Sequence, residues 1–263
     1  MPLSSRCGQR GGRRSPPWPA TRPITAIATA PATLKDEMAD GPPPRPRGGG
    51  SGRGPQELNK HEDRLRDRLP VDWGNYNGGG YQEAVEFFAN TLQEADTFEG
   101  SEAILNEIKS EAHNGIAWSY FRLQDLESAW NSFQQATRLN RRNADAWAGW
   151  AGVALASQRY NDTAQFANQV LESNLDYNSA FRSDESARAL GHDRVDSRHI
   201  RLTLAEAYFQ LGRYSAIDRA DPNNAAAQVR LLRGSYNYRD PGHLLAEMSA
   251  ISLELQQETS SGF

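Results

Sequence analysis

The chain has 263 residues and a formal net charge of −4, but residues 1–55 hold 11 of its 14 prolines and nine Lys/Arg against three Asp/Glu, whereas residues 56–263 carry 20 Lys/Arg against 30 Asp/Glu. About 200 residues are therefore left to fold, as an acidic body that opposes nucleic-acid binding. The longest apolar run, the 11 residues Ala146 to Ala156, is far short of the roughly 20 needed to cross a bilayer, and a single cysteine, Cys7, excludes an intramolecular disulfide.

Residues 1–55 include Arg13-Arg14, Pro42 to Pro44 and Gly48 to Gly50, a composition that buries too little apolar area to offset the entropy of ordering it, so a disordered tail is expected. Residues 1–34 hold five arginines and no acid. Pro23 and Pro31 interrupt the mildly apolar part, which favours an inert tail over a targeting peptide. Residues 56–72 form a lead-in helix and linker: Glu57 to Leu69 is charged and helix-compatible, and Pro70 is expected to stop it.

A helical repeat domain is expected over residues 73–256. Trp73 and Tyr76 precede the turn Gly78 to Gly80, after which Tyr81 to Leu92 is amphipathic. Ser101 to Leu123 places Ile104, Ile108, Ala112, Ile116 and Tyr120 on one helical stripe, with Ser101 as a capping residue. Further helices are expected over Leu126 to Leu139, Ala144 to Ser157 and Asn161 to Ser173. The pattern then lapses into a long loop near residues 175–197, a length that in a regular array is often functional. Residues 198–211 restore a helix, opened by Asp196 or Ser197. Its partner is disturbed, because Asp221-Pro222 stands where packing residues are due, and Asn223 to Arg233 is the expected replacement. Asp240-Pro241 opens a last helix to about Leu255, and residues 257–263 are expected to be disordered.

These helices repeat. Leu126, Ala129, Phe133 and Ala136 are answered 34 positions later by Tyr160, Thr163, Ala167 and Val170, the period of a stacked helical-hairpin array. Tyr81, Ala84, Phe88 and Thr91 share the spacing one period plus 11 residues upstream, and a fourth copy begins at Tyr214. Small residues nine positions before each second-helix anchor (Ala117, Ala151, Ala205), followed three positions later by Tyr120, Ala154 and Tyr208, resemble the tetratricopeptide repeat over about residues 73–220. The resemblance implies an all-α, right-handed superhelical array of antiparallel helix pairs, with the first helix of each pair lining a concave groove. By that resemblance Asn114, Trp118, Phe121, Arg122, Glu206, Phe209 and Gln210 point into the groove, with Asp145, Ala148, Gly152 and Leu155 as a small-residue floor. Asn114 to Tyr120, Ala205 to Phe209 and the Asp240-Pro241 helix also look like bacterial envelope lipoproteins built from these repeats, although no apolar run precedes Cys7.

Little chemistry is legible. Asp193, Asp196 and His199, with His192 and Asp184 nearby, could ligate a divalent metal if one helical face gathered them, but a capped helix start accounts for the same residues. Asn77 to Gly80 lacks the Lys-Ser/Thr of a phosphate loop, and no nucleophile elbow or paired cysteine ligands occur. The expectation is a noncatalytic scaffold without cofactor or bound metal, holding a peptide or protein segment in its groove through Asn114, Trp118, Phe121, Arg122, Asp145, Glu206, Phe209 and Gln210. Its alternatives are an assembly component of the bacterial envelope and, third, a metal-dependent hydrolase. Partners are expected to be protein or peptide and not nucleic acid, and membrane association would come only through processing or lipidation. The sequence as it stands reads as cytoplasmic, and as envelope or periplasmic if the lipoprotein resemblance holds.

Overall fold

The computed structural model describes residues 55–215 and 221–260, so the tail expected over residues 1–54 and the final residues 261–263 lie outside the described part. Within it the secondary structure is helical: α1 (Pro55–Asn77), α2 (Tyr81–Thr97), α3 (Glu102–Arg122), α4 (Leu126–Leu139), α5 (Ala144–Ala156), α6 (Tyr160–Ser173), α7 (Ser197–Gln210), α8 (Ala225–Arg233) and α9 (Pro241–Ser260), with a 3-10 turn at Ser179–Phe181. Each helix packs on its sequence neighbour from α1 through α7, and α1, α3, α5 and α7 line up on one side. That is the layering of a TPR-like array.

The turns carry the repeat as clearly as the helices. Gly79, Gln124, Gln158 and Gly212 all have φ between 59° and 81°, and each sits two residues before Tyr81, Leu126, Tyr160 and Tyr214. Bonds of 2.8–3.2 Å close each turn, from Gly80 N to Asn75 O, Asp125 N to Tyr120 O, Arg159 N to Ala154 O and Arg213 N to Tyr208 O. This is the left-handed helix ending that glycine enters without strain. Two of the four positions hold glutamine instead.

Between hairpins the packing depends on one size exchange. Phe88 and Phe133 are fully buried, and each ring lies on a glycine of the next hairpin's first helix. A Cβ on Gly115 would stand 2.2 Å from Phe88 Cζ, and one on Gly149 would stand 2.1 Å from Phe133 Cζ. In the next copy Ala167 stands at the phenylalanine position and Thr203 at the glycine position. On another flank Trp150 stacks on Phe166 at 4.0 Å, beside Trp130 and Trp147.

Two boundaries differ from expectation. Pro70 does not end the first helix, which runs on to Asn77. Leu65, Leu69, Trp73 and Tyr76 form one buried stripe, and burying the two rings at roughly 2–3 kcal/mol each outweighs the roughly 3 kcal/mol cost of an internal proline. The lead-in segment is thus part of the first hairpin. As Asp221-Pro222 led us to expect, the fourth hairpin keeps its turn but not its second helix at Tyr214, and α8 falls within the expected Asn223 to Arg233. Ala225 N and Ala226 N bond to Arg213 O and Tyr214 O at 2.9 and 3.0 Å, docking α8 beside the turn where the missing helix would have begun. Finally, α9 continues to Ser260 instead of ending near Leu255.

Candidate functional site

The loop between α6 and α7 is an irregular hairpin laid against the side of the array formed by α1, α3 and α5. Its two strands are tied by Ser179 N to Val195 O (2.8 Å), His192 N to Ser179 O (2.9 Å) and Leu190 N to Arg182 O (3.0 Å), and Ser197 N reaches Tyr177 O at its base. Gly191 permits the close approach of the strands, since a Cβ there would meet Ala180 O at 2.3 Å. Tyr177, Ser179, Leu190, His192 and Val195 are buried.

Asp145 on α5 is the centre of the arrangement. It is 1% exposed and accepts hydrogen bonds from Asn114 Nδ2 (2.7 Å) and Trp118 Nε1 (3.1 Å) of α3. From the loop hairpin it accepts Tyr177 Oη (2.6 Å) and Arg182 Nη1 (2.7 Å), and His192 Nε2 lies 2.8 Å away. Arg182 forks to a second acid: its Nη2 lies 2.7 Å from both oxygens of Glu111 on α3. Glu111 also accepts from Trp73 Nε1 (2.8 Å) of α1 and Asn143 Nδ2 (3.2 Å). Nearer the tip of α3, Asp193 accepts from Tyr76 Oη (2.5 Å) and Arg122 Nη2 (3.0 Å).

Rings enclose the polar core. The His192 imidazole stacks on Trp73 at 4.2 Å with planes 7° apart, and Tyr76 and Trp118 flank it at 5.6 and 4.8 Å. The Arg182 guanidinium lies 5.6 Å from the Trp73 ring centroid. Burial alone would raise the Asp145 pKa, but Arg182 and His192 hold it well below the usual carboxylate range. Burial opposes charge on His192, yet Asp145 and then Asp193 raise its pKa above that of a free imidazole. The acids Glu111, Asp145 and Asp193 thus lie against Arg122, Arg182 and His192 in one enclosed cluster, where an unpaired charge is penalised by the low-dielectric surroundings.

The residues expected to line an open groove divide into two groups. Asn114, Trp118, Phe121 and Asp145 are buried, and the polar atoms of Asn114, Trp118 and Asp145 join the cluster that meets the loop hairpin. Arg122 is tied to Asp193. Ala148, Gly152 and Leu155 form the buried floor. On α7, Glu206 and Phe209 are half-buried and Gln210 is exposed. Glu206 has no ionic partner among the described residues, and burial pushes its pKa up to about 7.

The residues weighed as metal ligands are dispersed. His192 and Asp193 belong to the cluster, Asp184 binds Arg188, and Asp196 caps α7 in a reciprocal pair with His199. Among the described residues no group of three or more His, Cys, Asp or Glu is placed to hold a metal. Ser101 occupies the N-cap of α3 without a side-chain capping bond. Sequence reasoning missed Tyr177 and Arg182. Their signal was indirect: Asp145 is the single charged residue in α5, and an acid on a helix buried all round requires a buried cation.

No family model matches the chain, and no curated protein does. Among solved structures it is similar to a Podosopora anserina kinesin light chain with nearly identical TPR-like repeats (17% identity, 75% of this chain and 99% of that one, TM-score 0.44). It is also similar to a Bacteroides ovatus protein described as protein binding (13%, 74% and 99%, TM-score 0.36) and to MamA (11%, 78% and 97%, TM-score 0.32). By its own packing, with hairpin stacked on hairpin and one recurrent turn, the chain is a TPR-like helical-repeat protein.

Proposed function

We propose that this protein is a noncatalytic interaction scaffold whose concave groove takes up an extended peptide or protein segment. One observation carries the reading: the groove already holds such a segment, the chain's own residues 177–196, through side chains of α1, α3 and α5 that meet hydroxyl, guanidinium and imidazole groups. A stacked frame that presents oriented polar groups between rings lowers the entropy lost on association. The noncatalytic part rests on the cluster's titratable groups being bonded to one another.

In this reading the binding surface extends from the hairpin onto α7, where Phe209 is half-buried and Gln210 exposed. A photoreactive residue at Phe209 or Gln210 should cross-link the same native partner, while one at exposed Glu127 on α4 should not. Cross-links from Glu127 alone would move the binding surface to the convex side and end the groove reading.

A further inference from the structure

We propose that the 177–196 hairpin is an exchangeable resident of the groove, and that an incoming segment replaces it by presenting an arginine to Glu111 and Asp145 beside the Trp73 ring. This inference rests on the groove reading above and names the chemistry of its partner.

The arginine site is built by the frame. Apart from a long contact to Leu190 O (3.4 Å), the groups that bind the Arg182 guanidinium belong to α3 and α5, with Trp73 of α1 facing it. Both acids also have donors of their own from the frame: Asn114 and Trp118 on Asp145, Trp73 and Asn143 on Glu111. With the hairpin gone the two carboxylates stay oriented, which is the condition for a preorganised receptor. Acids on two different helices, satisfied by one planar fork, select guanidinium over ammonium, because a lysine offers a point charge that cannot span both with the same geometry.

The hairpin is also built to leave as a unit. Its main-chain hydrogen bonds run mostly between its own strands, and its base is pinned by Ser197 N to Tyr177 O, so departure need not separate α6 from α7. Each of its polar ties to α1, α3 and α5 involves a side chain on at least one partner, as in Asn77 Nδ2 to Gly191 O (2.9 Å) and the Arg188 pairs with Asp63 and Asp67. Side-chain ties can be replaced one for one by a competitor. Because a tethered segment acts at an effective concentration of about millimolar, the competitor needs contacts beyond the arginine, and α7 offers them at Glu206, Phe209 and Gln210.

The test uses the full chain and a labelled synthetic peptide with the sequence of residues 174–196. Arg182→Ala in the chain removes the resident guanidinium, so this variant should bind the peptide at least tenfold more tightly than the unaltered chain does. A peptide carrying Arg182→Lys should lose at least tenfold of that affinity. A folded Arg182→Ala chain that binds no tighter, or that accepts lysine as well as arginine, overturns the proposal. Should the variant not fold, exchange of the Trp73 and Trp118 indole N–H protons decides in the unaltered chain. Exchange faster than that of the α3 and α5 backbone amides means the hairpin lifts without unfolding, and exchange in step with those amides makes it a fixed part of the core. Persistent partner cross-linking at Phe209 alongside peptide failure strikes this inference alone; loss of both strikes the groove reading beneath it.

Discussion

At the scale of single residues, two titratable groups pull stability in the same pH direction by different physics. His192 gains its partners on folding, so its folded pKa lies above its unfolded value of about 6.5. The stabilisation it brings is therefore complete below pH 6.5 and is lost as pH rises through the folded value. His192→Gln should flatten that alkaline decline in urea midpoint, and an unchanged slope would assign the decline elsewhere. Glu206 is an acid raised from 4.5 to about 7, so its cost is absent below pH 4.5, grows as pH climbs toward 7 and is then constant. Because Glu206 is partly exposed, that cost is about 1–3 kcal/mol instead of the full value of its shift. Glu206→Gln should recover it at pH 8 and change nothing at pH 4, as read from paired urea titrations. His192 and Asp193 were visible in the sequence only as metal-like residues near a helix start. Their actual partners, Asp145 and Tyr76, lie 47 and 117 positions away, a pairing that no local pattern encodes.

At the scale of elements, the pattern of apolar and small residues was enough to place most helices, because each second helix buries the same stripe and each first helix offers small residues to it. The expected Leu126 to Leu139 helix coincides with α4. The displaced α8 was legible too, since Asp221-Pro222 stands where packing residues are due and α8 falls within the expected Asn223 to Arg233; what failed was the place where tertiary burial overrides local preference, Pro70 inside α1. The Phe/Gly exchange between hairpins gives the clearest element-level prediction. Gly149→Ala puts a methyl group 2.1 Å from Phe133 Cζ, against a backbone held by the repeat packing, and overpacking of this kind costs about 1–3 kcal/mol. Combining it with Phe133→Leu should cost less than the sum of the two single changes, by 0.5 kcal/mol or more. Strict additivity in thermal or urea unfolding would mean that the ring does not rest on that glycine. The same substitution at Gly115 against Phe88 tests the neighbouring interface by the same rule.

At the scale of the whole molecule, the loop hairpin changes how the array holds together. In a plain solenoid each repeat touches only its neighbours, and stability is nearly a sum of repeat and interface contributions. Here residues 177–196 bond to α1, α3 and α5 at once: Asp193 to Tyr76, Arg182 to Glu111 and Asp145, and Arg188 to Asp63 and Asp67. The first hairpin is thereby tied to a segment more than a hundred residues away, bypassing the hairpins between. Such ties should make the unaltered chain unfold as one unit, with the indole signals of Trp73 on α1 and of Trp147 and Trp150 on α5 sharing a single urea midpoint. Arg182→Ala breaks the fork that joins α3 to α5 and leaves two acids short of their buried cation, a loss of about 3–5 kcal/mol. The consequence is uneven. The α1–α2 hairpin keeps α3 and its own ties to the loop at Asp193, Gly191 and Arg188 but loses the fork that joined Glu111, which holds Trp73, to α5, so the Trp73 signal should move to lower urea than the signals from α5, and the overall dependence on urea should become shallower as the two steps separate. If Trp73 and Trp150 still report one midpoint in a folded Arg182→Ala chain, the helical stack alone is cooperative and the hairpin is a passenger in it.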